Sequence, residues 1–297
     1  MKTIVYTSAL GLLCMVAEML NLRKIILPLA VLGLLVVFGL NILDWGINQS
    51  YYHNMICADN YSVSFSALLL LLGVFIVILS GSFYKNEESK ISDYLAITIF
   101  TLCGALAMVS FGNMAMLFLG IEVLSISLYV LAGSKRKELR SNEAAMKYFL
   151  MGSFASGILL FGITLIYGET GSFDLQTISN YTQSGNSLSP LYYVGAGLIL
   201  IALLFKVSAA PFHFWAPDVY EGSPTLTTAT MATVAKIAAF AGFYRLFSTV
   251  FVPAYSTYAW VLSIVTALTI AIGNLSALNQ DSFKRMLAFS GISHAGY

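Results

Sequence analysis

Five ionisable side chains stand where the surrounding sequence is apolar enough to lie in hydrocarbon: Glu122, Lys147, Lys206, Lys236 and His213. A lysine at the centre of a bilayer helix costs about 2.5–3.5 kcal/mol on insertion scales, so one that persists there points to function. Lys206 opens the most informative stretch, LLFKVSAAPFHFWAPDVYEGSPT, from Leu203 to Thr225. Pro211 follows five residues later and deprives the Val207 carbonyl of its helical partner. Interrupted backbone is tolerated at membrane depth only where protein or water covers it. An amine beside a free carbonyl and water is suited to holding and releasing an ion or a proton. Desolvation disfavours the charged amine and a nearby carboxylate favours it, so moving that carboxylate would switch a buried lysine between the two states.

Each residue also has a plainer reading. Lys147 lies about one and a half turns inside its run and could snorkel to the edge or pair with Glu143 at i,i+4. Glu18 could reach the interface near Arg23. His213 sits among Phe212, Phe214 and Trp215, the composition of an interfacial aromatic belt. It is also seven residues from Lys206, about two turns along one helix face, which would suit a water-linked relay. Glu122, Lys206 and Lys236 are too deep to snorkel easily, and a purely structural ion pair is the alternative for them. Ser125 and Tyr129 continue the face of Glu122 at i+3 and i+7 as a polar stripe. Ala229, Ala232, Thr233 and Ala239 around Lys236 allow another helix to approach closely, as do Gly152, Ser153, Ser156 and Gly157 beyond Lys147.

The elements that must position these groups are membrane helices. Hydrophobic residues make up 58% of the 297 and charged residues 10%, where a soluble domain carries about 25% charged residues. The mean hydropathy is +0.82. A net charge of +1 gives no case for nucleic acid, and three cysteines without paired spacing give no disulfide or metal framework. Nucleotide loops, HExxH and CxxC are absent from the sequence, as is a nucleophile with a placed base. Apolar runs long enough to span fall near 3–21, 25–44, 64–84, 93–110, 112–132, 142–168, 191–214, 225–249 and 256–278. The first lacks a small-residue cleavage site and is taken as a retained span. A tenth begins after Arg285 and the sequence stops inside it, which reads as a fragment of a longer protein. Arg23, Lys24, Lys85, Lys90, Lys135, Arg136, Lys137, Arg140, Lys284 and Arg285 all fall on one side if the spans alternate, whereas 45–63, 169–190 and 250–255 carry no Lys or Arg. The basic side is therefore expected to be cytoplasmic and the N-terminus outside.

Two stretches carry a resemblance to a known family. PFHFWAPDVYEGSPT, with Lys206 before it and ATVAK ending in Lys236 after it, resembles subunit N of bacterial NADH:quinone oxidoreductase, respiratory complex I, and its mitochondrial relative, NADH dehydrogenase subunit 2. DSFKRMLAFSGISHAGY, 281–297, resembles the family's Lys-Arg-x-Leu-Ala-Tyr-Ser-Ser-Ile-x-His-x-Gly-Tyr segment. The resemblance covers essentially the whole chain. The Pro-Asp-Val-Tyr-Glu-Gly wording separates subunit N from the larger antiporter-like subunits and the multisubunit Na⁺/H⁺ antiporters. Ser223 and Leu226 depart from the commoner Ala and Pro-Val wording.

The resemblance implies an all-α, polytopic helix bundle of the antiporter-like type with a discontinuous helix near 191–214. It divides the chain into N-terminal spans over 1–92, a first five-helix repeat over 93–249 and the truncated start of a second over 256–297. The implied function is proton translocation coupled to NADH-to-quinone electron transfer, through Glu122, Lys147, Lys206 and Lys236. Glu122 and Lys206 would be the switching pair, and Lys147 and Lys236 would pass the proton along the midplane; His213 and His294 are candidate relays. No cofactor is expected on this chain itself, the complex using NADH and quinone. The expected partners are the other membrane-arm subunits and the lipid bilayer, in a bacterial inner membrane. The alternatives are a subunit of a multisubunit Na⁺/H⁺ antiporter and a structural membrane scaffold.

Overall fold

The computed structural model describes residues 2–20, 23–84, 91–184 and 188–297. Lys85 and Lys90 lie outside the described residues, as do the side chains of Arg23 and Lys24, so part of the basic loop series has no structural counterpart here. Among the described residues, nine helices are long and apolar enough to cross a membrane. They begin with α1 (Lys2–Met19), α2 (Arg23–Leu43), α3 (Asn60–Phe83), α4 (Ile91–Ser110), α5 (Met114–Ala132) and α6 (Leu139–Thr170). A short surface helix α7 (Leu175–Gln183) leads to α8 (Pro190–Val207) and then to the small α9 (Trp215–Gly222). The next span is built from α10 (Thr225–Thr230), a π-helical turn (Met231–Ala235) and α11 (Lys236–Thr249), and is followed by α12 (Tyr255–Leu278) and α13 (Phe283–Gly296).

The spans start where the sequence supplies caps. Asp59 accepts from the Ser62 amide while Ser62 returns a bond to the Asp59 amide, a capping box for α3. Asn113 caps α5, and Ser189 with Pro190 at the first helical position opens α8. Gly171, at φ 68°, ends α6 in the left-handed conformation. Two of the loops between spans carry structure of their own: β1 (Gln49–Tyr51) and β2 (Ile56–Ala58) form an antiparallel hairpin, and α7 fills part of 169–190.

Helix α4 is buried along nearly its whole length, against α1, α3, α5 and α11. It meets α5 backbone to backbone, since a Cβ on Gly104 would sit 2.4 Å from the Leu124 nitrogen. By contrast α1, α2 and α12 turn many large apolar side chains outward, among them Leu12, Leu32 and Trp260, as lipid-facing helices should.

Candidate functional site

The break after α8 comes earlier than Pro211 predicts. The helix ends at Val207, Ser208 takes left-handed angles (φ 62°), and the Ala210–Pro211 peptide is cis. His213 therefore does not continue the helix face of Lys206, and the two-turn relation between them does not hold. Beside Lys206, the Leu204 and Phe205 carbonyls accept the bonds that turn the chain out of the helix. The Ala209 amide donates to the first at 2.9 Å; the Ser208 amide and Trp215 Nε1 donate to the second at 3.0 and 3.2 Å. The Ala210 amide donates to Thr269 Oγ1 on α12 at 2.9 Å. These bonds tie the loop back to α8 and across to α12, while Ser208 Oγ is buried without a hydrogen-bond partner among the described residues.

Lys206 points back into the bundle, as helical side chains lean toward the N-terminus. Its Nζ donates to Ser125 Oγ of α5 at 2.7 Å, and Ser125 donates in turn to the Ile121 carbonyl at 2.5 Å. Glu122 lies within electrostatic reach of Lys206, yet among the described residues they form no direct ion pair, and Glu122 Oε1 is buried without a hydrogen-bond partner. Lys236 follows the π-helical turn and is 8% exposed. Its Nζ donates to the Gly291 carbonyl of α13 at 2.5 Å. Both deep lysines therefore hold neutral oxygens.

Lys147 is placed otherwise. Its side chain is 41% exposed and its Nζ sits 2.7 Å from Glu143 and 2.9 Å from Asp218, toward the end of the bundle that carries loop 133–138. The i,i+4 pairing is present, together with a cross-element partner the sequence did not name. Asp218 is shared with Arg285 at 2.7 Å, and Arg285 also reaches Glu221 at 3.1 Å. Lys284 donates to the Ser223 carbonyl at 2.8 Å. These contacts clasp α6, α9 and α13 together at that end, around a cavity of about 250 Å³. The Lys147 hydrogen bond is the main cause holding the Asp218 carboxyl below the usual range, with Arg285 adding to it.

His213 is half-buried in the loop with Nδ1 unpartnered among the described residues, and burial lowers its pKa. His294 is exposed on α13, beside Tyr297. Among the described residues, no hydrogen bond or ion pair joins either of them to Lys206 or Lys236. Glu18 accepts a hydrogen bond from Ser92 of α4. At the opposite end of the bundle Arg245, 10% exposed, pairs with Asp59 at 2.8 Å and lies over the Tyr61 ring. Burial raises the Asp59 carboxyl, but the arginine outweighs it and the net shift is downward.

The site is a broken helix, a half-buried and a buried lysine on neutral oxygens, and a carboxyl beside the first whose Oε1 is buried without a partner among the described residues. Residues 111–297 match the family described as NADH:quinone oxidoreductase/Mrp antiporter, transmembrane. The chain belongs to this family. The curated relatives include proteins named NADH-quinone oxidoreductase subunit N from Flavobacterium psychrophilum, 56% identical over 100% of this chain and 65% of the relative, and from Cytophaga hutchinsonii, 48% identical over 100% and 64%. A chain of respiratory complex I from Thermus thermophilus with bound aureothin superposes with a TM-score of 0.84 at 32% identity, over 99% of this chain and 62% of that one. A chain of the Mrp complex from Dietzia shares the fold at a TM-score of 0.84 and 22% identity. This chain thus spans just under two thirds of the length of these relatives. The all-α, antiporter-like membrane bundle expected from the sequence is the observed one, including the discontinuous helix.

Proposed function

We propose that this chain is a proton-translocating membrane subunit of a bacterial NADH:quinone oxidoreductase, passing protons through Glu122, Lys206 and Lys236. The names of the relatives favour this over the Na⁺/H⁺ antiporter reading, which the fold alone would equally allow. The observation that carries it is the pairing of Lys206 with Ser125 and of Lys236 with the Gly291 carbonyl. A lysine bonded to a neutral oxygen can lose its proton without stranding a buried carboxylate, so both protonation states are tolerable. Glu122, near Lys206 but not bonded to it, supplies the adjustable charge. Lys147, tied to two carboxylates at the bundle end, is proposed as a group of the entry side rather than of the midplane.

On this reading the chain binds no cofactor, and NADH and quinone are handled elsewhere in the complex. Its partners are the other membrane-arm subunits and lipid. Residues 93–249 form the first repeat and 256–297 open the second. The end bearing 133–138 faces the cytoplasm and the N-terminus faces out; a cysteine at Lys137 should resist an impermeant thiol reagent in intact cells while one at Gln183 reacts. The reverse labelling pattern overturns the orientation.

The functional test uses the assembled complex in proteoliposomes. Lys206→Ala should abolish proton pumping while electron transfer from NADH to a soluble artificial acceptor persists. Lys206→Arg should restore little, because a guanidinium keeps its proton at any working pH. Full pumping with arginine would show that charge alone is needed and sink the proton-carrier role of Lys206.

A further inference from the structure

We infer that Tyr129 is the hydroxyl link through which protons pass from a large cavity at the basic end of the bundle to the Lys206–Ser125 pair. The inference rests on the proton-translocating role proposed above and names the route of entry. The cavity, about 1290 Å³, is lined by Lys135, Arg136 and Glu138 from the loop and by Tyr94, Tyr129 and Phe149 from α4, α5 and α6. Tyr129 is the innermost of its polar lining residues on α5, and the next polar side chains toward the opposite end on that face are Ser125 and Glu122.

Three observations place the phenol between cavity and lysine. Tyr129 and Ser125 are four residues apart on one helix, so they stack on one face, and the long side chain leans back over the turn that holds Ser125. Glu122 is close enough to act electrostatically on the phenol, and Ser125 stands close to hydrogen-bonding range of it. Its hydroxyl is buried and makes no hydrogen bond among the described residues. A buried polar hydrogen without a partner is costly, and Ser125 is the polar neighbour placed to take it up. Gly152 of α6 leaves the room: a Cβ there would meet the Tyr129 oxygen at 2.0 Å. The ring itself is fixed edge-on by Tyr148 and Phe149.

The transfer balances. A proton arriving from the cavity binds the Tyr129 oxygen as that oxygen passes its own proton to Ser125. Ser125, its O–H turned from the Ile121 carbonyl, gives its proton to an uncharged Lys206 amine. Each oxygen ends with one proton, and only the amine has gained one.

Tyr129→Phe keeps the ring and removes an unpaired hydroxyl, so the complex should assemble and transfer electrons to an artificial acceptor normally. The proton-pumping rate should fall at least fivefold, and the rate remaining should show a larger slowing in D₂O than the unaltered complex. Unchanged pumping in Tyr129→Phe overturns the link, provided Lys206→Ala measured alongside is defective. If Lys206→Ala also pumps normally, the translocating role itself is wrong and the link falls with it. Gly152→Ala gives an independent arm, since it displaces the hydroxyl while retaining the tyrosine, and it should reproduce the pumping defect in assembled complex. Assembled Gly152→Ala that pumps normally likewise overturns the link.

Discussion

Lys206 and Lys147 are the same side chain on neighbouring helices, and they are held in opposite ways. Lys206 has one neutral hydroxyl as its partner and an unbonded carboxyl nearby. Lys147 has two carboxylates within 3 Å and open space on one side. Removing a proton from Lys147 would leave Glu143 and Asp218 with less neutralising charge, so its environment holds the cation. Removing one from Lys206 leaves an amine beside a hydroxyl, which is a satisfied pair. On the reading proposed above, partner chemistry, not residue type, separates a lysine poised to turn over its proton from one whose surroundings hold the cation. Lys236, on a backbone carbonyl, falls with Lys206.

The sharpest way to break this comparison is to replace each lysine by leucine. Lys206→Leu should lower proton pumping in the reconstituted complex more than tenfold, and Lys236→Leu similarly. Lys147→Leu should lower it less than threefold, because an exposed ion pair contributes about 0–1 kcal/mol and the clasp retains Arg285–Glu221. Equal losses at 147 and 206 would erase the distinction. A smaller effect is expected at His213, which no hydrogen bond or ion pair among the described residues joins to Lys206: His213→Ala should change pumping less than twofold, measured in the same vesicles.

The spans were legible in the sequence because hydrophobic length alone specifies them, and so were Glu122, Lys206 and Lys236, because a charge in an apolar run has few bland explanations. The point where α8 breaks was not. Proline marks where a helix cannot continue, but the chain here leaves the helix four residues sooner, with Ser208 in a conformation that non-glycine residues rarely take. The acceptor of Lys236 could not have been named either, since it is a backbone carbonyl 55 residues away and carries no residue identity. Asp218 and Arg285 did leave a signal. Asp218 and Glu221 lie three apart on one short helix, next in the chain to nothing basic, while Lys284 and Arg285 open α13 with Asp281 alone beside them. Balancing charge between loops at the same end of alternating spans would have paired them. The hairpin 49–58 left little trace, because its strands are three residues each.

The clasp offers a finer test. Asp218 has its folded pKa pulled below the unfolded value, first by the Lys147 hydrogen bond. Its contribution is therefore complete above the unfolded pKa of about 3.9 and disappears as pH falls through the lower folded value. The thermal stability of the purified complex should exceed that of its Asp218→Asn variant by a constant small margin from pH 8 to pH 5, and the margin should close below about pH 4. A margin that grew on acidification would mean that Asp218 is protonated in the fold and that the ion pairs are not its role.

The smallest effect is expected beside Lys236. Gly291 puts its carbonyl on the Lys236 amine, and a Cβ built on Gly291 would lie 3.5 Å from Nζ, ordinary van der Waals contact. Gly291→Ala should therefore leave the carbonyl in place, with the helix gaining up to about 1 kcal/mol from the exchange of glycine for alanine. Pumping should change less than twofold. Gly291→Ser fits the same space but brings a hydroxyl next to the amine, a second neutral acceptor that favours the charged lysine. If proton release from Lys236 limits pumping, serine should slow it more than alanine does. The alanine variant is the control for size, so a defect as large in alanine as in serine would assign the effect to crowding and remove the carbonyl-held lysine from the argument.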